Sequence, residues 1–333
     1  MQKSFWWIFV AALLAIYLVI LAGSIVRMTG SGMGCPDWPK CFNQWVPPTH
    51  VDQLPDDYRE VFLNKRKAKI VKYSSFLNRI GMSDVSEALT KDPDLLKEEP
   101  FTATKTWIEY INRLMGFMAG NFLLIGFILS LFLWKKKKSY VLLSFLALIF
   151  TSIQGWFGSI VVTSNLTPWT ISFHMLFALL IIAVIIHLLY TIKPRTRLSL
   201  SGIKPLVVLI LMLSLVQIYF GTQVRQEIDV LTKSSLNRSE WIHSLTSIFE
   251  IHRSFAIIVI LLHLYLLRKI RAHTRWRGFG MVMILILFLE IFSGIIMAYF
   301  SVPKLAQPVH LFLATILFGM QYWLVLHSDK SVK

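Results

Sequence analysis

Charge is scarce in this chain. Asp, Glu, Lys and Arg make up 16% of its 333 residues, where a soluble domain carries about 25%. Cysteine is scarcer still: there are two, which excludes a scaffold built on disulfides. Acidic residues are outnumbered, 18 against 34 Lys and Arg, so the net charge is +16. Apolar residues take up the difference: the set Ala, Val, Ile, Leu, Met, Phe, Trp, Tyr and Cys reaches 55%, and the mean hydropathy is +0.61. A disordered chain is poor in such residues and is excluded. Length alone suggests about two soluble domains, but the composition points instead to a polytopic membrane protein.

Crossing a bilayer takes roughly 20 apolar residues. Eight segments qualify: 5–27, 107–134, 140–164, 168–192, 204–226, 248–267, 278–301 and 304–327. They are continuous and far longer than a barrel strand, so the expected fold class is all-α. Basic residues sort to one side of these spans. Lys135, Lys136, Lys137 and Lys138 follow the second; Lys193, Arg195, Arg197 and Lys204 separate the fourth and fifth; Arg268, Lys269, Arg271, Arg275 and Arg277 separate the sixth and seventh. Segment 28–106 balances eleven basic with eleven acidic residues, and 227–247 is slightly acidic. The positive-inside rule then expects both termini in the cytoplasm and 28–106 outside. The basic balance is read as topology, not as affinity for nucleic acid. Few polar residues precede the first apolar run, so no transit peptide is expected, and that run is too long for a signal peptide.

The two halves echo each other. Gly23-Ser24-Ile25-Val26-Arg27 ends the first span and Gly221-Thr222-Gln223-Val224-Arg225 the fifth. Ile111-Asn112-Arg113 opens the second and Ile251-His252-Arg253 the sixth. Gly158 of the third span corresponds to Gly294 of the seventh, with Gln154 opposite Glu290; His174 of the fourth corresponds to His310 of the eighth. Four spans per half give parallel repeats, expected as two pseudo-symmetric four-helix bundles, 1–192 and 193–333.

Nine histidines occur. His187, His263 and His327 fall near cytoplasmic helix ends, where a cation suits the dipole, and His50, His243 and His273 fall in loops. His174, His252 and His310 each lie within about two turns of the start of an even-numbered span, so they share one depth. A polar residue inside a span is costly and suggests function. His252 and His310, on parallel helices of one half, can hold a haem iron from both sides. No third or fourth donor accompanies them, which disfavours zinc. In the first half the partner position of His174 holds Asn112, a poor iron ligand, leaving one strong ligand and a weak or vacant position opposite.

Arg113, Arg253, Arg27 and Arg225 all fall near the outer face, against the positive-inside bias. Haem propionates would pair with them, and snorkelling into headgroups is the alternative. Glu109 projects from the same helical face as Asn112. It is a helix-dipole partner or, as candidate catalytic residue, a base or anionic stabiliser beside a reacting haem substituent. Cys35 and Cys41, close together and outside, are expected as a disulfide, either staple or redox relay. The insert 42–106 is expected as a small external cap, with Lys65 to Lys72 forming a solvated helix face.

At these residues the chain resembles the haem A synthase family. The carrying motifs are the run from Gly23 to Pro39, Gly-Ser-Ile-Val-Arg-Met-Thr-Gly-Ser-Gly-Met-Gly-Cys-Pro-Asp-Trp-Pro, then Glu109-Tyr110-Ile111-Asn112-Arg113, His174, His252-Arg253 and His310. The resemblance covers all eight spans. It implies oxidation of the C8 methyl of the substrate haem O to the formyl of haem A, through successive hydroxylations and loss of water from a geminal diol. It implies a haem b cofactor on His252 and His310, with Arg253 and Arg225 beside it. The substrate haem would lie in the first half, at His174, Asn112, Arg113 and Arg27. Many members carry His where this chain has Asn112, so the paired ligation cannot be carried into the first half. The implied setting is a bacterial inner membrane, with haem O synthase, an electron acceptor and a second copy of the chain as candidate partners. Two other classes remain open: a b-type electron-transfer subunit, and a haem-binding chaperone or exporter.

Overall fold

The computed structural model describes residues 2–79, 81, 83–91, 100–163, 168–193, 203–232, 234–271 and 274–328. Arg195, Arg197 and His273 lie outside the described residues, as does the side chain of Arg275. Eight long apolar helices carry the fold: α1 (Gln2–Thr29), α4 (Ala103–Leu131), α5 (Lys138–Thr163), α6 (Pro168–Ile192), α7 (Ile203–Leu231), α8 (Ser247–Arg271), α9 (Thr274–Tyr299) and α10 (Ala306–His327). Two further helices, α2 (Tyr58–Arg79) and α3 (Ser83–Lys91), lie in the insert after α1. The protein is a polytopic all-α membrane protein, with each expected span lying within one long helix or overrunning its end by no more than about three residues.

Helix neighbours repeat between the halves. In the first, α1 packs on α4, α4 on α5, α5 on α6 and α6 back on α1. In the second, α7 packs on α8, α8 on α9, α9 on α10 and α10 back on α7. Each half is therefore a ring of four, consistent with the expected pseudo-symmetry, and the even-numbered spans sit diagonally across it. α4 faces α6, and α8 faces α10. Apolar burial follows the same division. One core joins Phe5, Phe9, Leu123, Leu179, Ile182 and Ile185 with their neighbours, and Phe318 enters it from the second half with Leu211, Leu215, Ile218 and Tyr322 packed against it. The other joins Ile203, Ile210, Leu266, Met283, Leu317 and Leu324. Contacts of α1 and α6 with α10, and of α6 with α7, join the two. Outward residues such as Phe117, Met118, Ile257 and Leu285 stay exposed and apolar, as a lipid-facing surface requires.

Two turns place the site helices. Gly30, at φ +63°, ends α1. Its N–H bonds Arg27 O and the Ser31 N–H bonds Val26 O at 2.9 Å, a Schellman closure that needs the left-handed residue. Between α9 and α10, Ser301 and Val302 both take left-handed φ near +50° (54° and 51°). A β-branched residue pays for this conformation, and Arg238 secures the turn by donating to both carbonyls, 2.8 Å to Ser301 O. The chain then reverses directly into α10, which carries His310.

The insert caps the first half. Tyr73 of α2 packs against the Phe157, Ile160 and Val161 cluster of α5, and the Phe76 ring meets Trp156 edge-on at 6.1 Å. Lys65, Lys67, Lys69 and Lys72 are exposed, giving the expected solvated face. The Lys69 ammonium reaches back to Pro36 O at 3.4 Å. Its pKa is lowered, first by burial and then by the Arg113 charge.

Candidate functional site

The repeat is sharpest where consecutive span helices touch. In each of the pairs α1/α4, α5/α6, α7/α8 and α9/α10, a glycine on the first helix lies against the candidate residue of the second. A β-carbon on Gly221 would stand 3.1 Å from Cε1 of His252, on Gly294 3.4 Å from Cε1 of His310, and on Gly158 3.5 Å from Cε1 of His174. On Gly23 it would stand 3.8 Å from Oδ1 of Asn112. Backbone can approach a ring this closely only where no side chain intervenes. The four positions that sequence set at one depth are therefore four copies of one packing arrangement.

Four residues before three of these glycines, one turn away on the same face, stands an amide or a carboxyl. Gln154 Nε2 donates to His174 O at 2.8 Å. Gln217 Nε2 donates to His252 O at 3.0 Å and lies 3.1 Å from its Nδ1. Glu290 accepts at its backbone carbonyl from His310 Nδ1 at 3.1 Å, and its Oε1 lies 3.3 Å from His310 Nε2. Ser293 Oγ completes the grip on His310 Nδ1 at 2.9 Å. The fourth position, before Gly23, is Val19.

In the second half the His252 and His310 rings meet across the diagonal, centroids 6.5 Å apart and planes at 77°. Two imidazole nitrogens each about 2.0–2.1 Å from one ion put the ring centroids roughly 6 Å apart, so the spacing suits one iron between them. With the His310 Nδ1–H spent on the Glu290 backbone carbonyl, Nε2 is the nitrogen left to ligate, and it faces the Glu290 carboxyl at 3.3 Å. Among the described residues no group of three or more His, Cys, Asp or Glu side chains gathers at metal-holding distance. A planar cofactor ligated from two sides fits this donor set.

In the first half, buried polar atoms stand without partners: Nδ1 of His174 and Oδ1 of Asn112. Gly116 and Gly120, one and two turns below Asn112, would carry β-carbons that meet nothing within 4 Å. Orphaned buried atoms beside open space fit a group held there. Phe157 stacks on the His174 ring at 6.1 Å and 18°, and because Tyr73 packs on Phe157's cluster, the α2 cap sits directly over this half.

The expected arginines find partners within the chain. Arg113 donates to Glu109, to Asp37 O and, at 2.8 Å, to Cys35 O. Glu109, buried, accepts the Cys35 N–H at 2.8 Å on its other oxygen. Thr106 Oγ1 donates to Gly34 O at 2.9 Å, and any β-carbon on Gly34 would lie 2.7 Å from the Lys105 backbone. These contacts seat the loop closed by the Cys35–Cys41 disulfide on the first turns of α4, one turn from Asn112. Arg27 and Arg225, equivalent in the repeat, converge on Asp229: Arg27 Nε at 2.9 Å and Arg225 at 2.7 Å from opposite carboxylate oxygens. Arg253 is exposed and lies over the Phe249 ring at 5.7 Å.

His263 and His327 lie toward helix C-termini as expected, His327 in the last turn of α10, but both are fully buried. His263 Nδ1 lies 2.7 Å from Val259 O and its Nε2 2.8 Å from Gln321 Nε2, and His327 Nδ1 lies 2.8 Å from Trp323 O. His187, half-buried, lies 3.2 Å from the Tyr322 hydroxyl. Sequence reasoning also missed Asp229 and Gln217. Asp229 could have been found from its spacing of four after Arg225 on one helix, and Gln217 from its spacing of four before a repeated glycine.

The family model for cytochrome oxidase assembly proteins matches 5–80 and 86–322, and the chain belongs to that family. A heme A synthase of Rickettsia felis is 26% identical, covering 97% of this chain and 98% of its own length. One of Shewanella oneidensis is 23% identical over 87% and 86%, and one of Geobacillus kaustophilus 24% over 99% and 93%.

Proposed function

We propose that this family member is a haem A synthase, oxidising the C8 methyl of haem O to a formyl group by successive hydroxylations. The inequality of the two halves carries the reading. His252 and His310 face each other at 6.5 Å, whereas His174 shares its tier with Asn112, whose buried oxygen has no partner. A subunit that only moved electrons would be expected to ligate iron on both sides in each half.

In this reading residues 193–333 form the bundle that holds haem b on His252 and His310, and 1–192 the bundle that takes haem O on His174. When bound, haem b supplies one-electron redox chemistry. The chain's own residues do the rest. Gly158, Gly221 and Gly294 let the imidazoles lie against backbone. Asn112, lacking a strong nitrogen donor, leaves one side of the substrate iron weakly held, and its amide can hydrogen-bond water there. Glu109 is the anionic group beside the substrate, and through Cys35 it makes the disulfide loop part of that site. At the same end Arg113 is met by Glu109, while Arg27 and Arg225, two cations on the single Asp229, and the exposed Arg253 leave positive charge for propionates. The cap of α2 limits access to water. The charge distribution supports cytoplasmic termini in a bacterial inner membrane. The chemistry calls for a haem O synthase upstream and an electron acceptor.

The test is the pigment extracted after coexpression with a source of haem O. Haem A is expected in the extract. His252→Ala or His310→Ala should abolish the low-spin b-type spectrum, while His174→Ala spares it and lowers haem A. Extract without haem A from well-folded protein overturns the reading, and an unchanged spectrum in both of the first two variants removes the ligands.

A further inference from the structure

The residue four before each site glycine is not part of the ligand reading above. We infer that Gln154, Gln217 and Glu290 are positioning residues for the histidine on the next helix, and that Val19 with Asn112 is the matched pair that makes the first half different. The inference rests on the reading of His174, His252 and His310 as haem ligands.

The geometry is set by helix direction. Helical carbonyls point toward the C-terminus. Each glycine-bearing helix runs antiparallel to its histidine-bearing neighbour, so a residue four before the glycine lies one turn along, level with the histidine's carbonyl. Gln154 and Gln217 both fill that slot and donate to that carbonyl, at 2.8 and 3.0 Å. The carbonyl's second lone pair is free after its helical bond. In a dry membrane interior an amide has few other partners, so the bond holds each helix in rotational register with its neighbour. Glu290 fills the slot differently: its backbone carbonyl holds Nδ1 and its carboxyl faces Nε2. All three contacts hold the helix that carries the histidine, and those of Gln217 and Glu290 also reach a ring nitrogen and so set how the imidazole turns over its glycine.

Position 19 breaks the pattern where position 112 does. Val19 can donate nothing, and Asn112 retains an orphaned oxygen. The loss of ligand and the loss of its holder coincide in one helix pair of four. This is expected if the holder exists for the ligand, and unexpected if the amides serve only to glue helices. Restoring histidine alone therefore restores half of the unit.

The experiment compares Asn112→His with Val19→Gln/Asn112→His in protein purified with its haem. The readouts are haem per chain, low-spin absorption and the electron paramagnetic resonance of the low-spin iron. The double variant should retain more haem and show a stronger added low-spin signal than Asn112→His. In the second half, Gln217→Leu should speed haem loss about 10–100-fold, the usual cost of removing such a partner. Glu290→Gln should retain haem better than Glu290→Leu, because two sister positions use glutamine. If Gln217→Leu does not fold, the two position-112 variants decide. A double variant no better than Asn112→His, or a folded Gln217→Leu with unchanged haem loss, overturns the inference. His252→Ala separates the two levels: if it keeps the low-spin spectrum the ligand reading fails, and if it loses the spectrum only the positioning role is at stake.

Discussion

Gly221 lies so close beneath His252 that a β-carbon there would stand 3.1 Å from the imidazole Cε1. The other site glycines leave progressively more room, up to 3.8 Å between Gly23 and Asn112. Alanine should therefore be tolerated in that order. Gly221→Ala must push the ring or separate α7 from α8, an overpacking cost of about 1–3 kcal/mol. We expect a lower thermal midpoint in detergent and less retained haem. Gly23→Ala should change the midpoint little, and an equal effect of both would remove the close-approach argument.

Glu109 and Arg113 bind the disulfide loop to α4, so their variants should be read at the loop as well as in product. Glu109→Gln can still accept the Cys35 N–H but loses the charge that Arg113 meets, and hydrogen bonds to charged groups contribute about 1.5–3 kcal/mol. The variant should keep its haem b spectrum and make little haem A. Its cysteines should also be alkylated faster after mild reduction. Normal haem A yield would reduce Glu109 to a helix-start residue, and unaltered alkylation would detach it from the loop.

Asp229 places one carboxylate between two arginines from different halves. Asp229→Asn leaves both cations facing each other with half of their partner gone. We expect a stability loss of about 1.5–3 kcal/mol, on the scale of charge-assisted hydrogen bonds. The double variant Arg27→Gln/Asp229→Asn should recover part of it, because one cation is then removed. Equal midpoints for Asp229→Asn and the unaltered protein would show that the cluster is solvated and adds nothing.

The α2 cap touches α5 through Tyr73, Phe76, Trp156 and Phe157. Phe76→Ala removes the edge-on pair with Trp156, an interaction of about 0.5–1.5 kcal/mol beyond its buried area. Haem in the first half should exchange faster with haem added in solution, while the second-half spectrum holds. Exchange that is unchanged would mean that the cap does not cover the site.

Much was legible in the sequence. Apolar runs the length of a bilayer are read directly, since in lipid each backbone group must be satisfied within its own helix. Repeats set Gly23 against Gly221 and His174 against His310 before any contact was known. The equal depth of the histidines followed from counting residues along helices. The arginines were legible only as anomalies. Their expected partners were propionates or headgroups, but the structure supplies Asp229 and the loop carbonyls. For Arg113 and Arg27 partners come from more than 70 positions away, Asp37 and Asp229, whereas Glu109 and Asp229 lie only four residues from Arg113 and Arg225.

What the sequence determined alone is therefore what one helix imposes on itself: the spans, their all-α class, the depth of each polar residue and the duplication. What only the tertiary structure decided is which faces meet. The rings of four put α4 opposite α6 and α8 opposite α10. They also set each glycine under its histidine, turned Gln217 toward a carbonyl and buried His263. A helix fixes depth by its rise per residue. Its rotation against a neighbour depends on the packing of both surfaces together, which no single stretch of sequence contains.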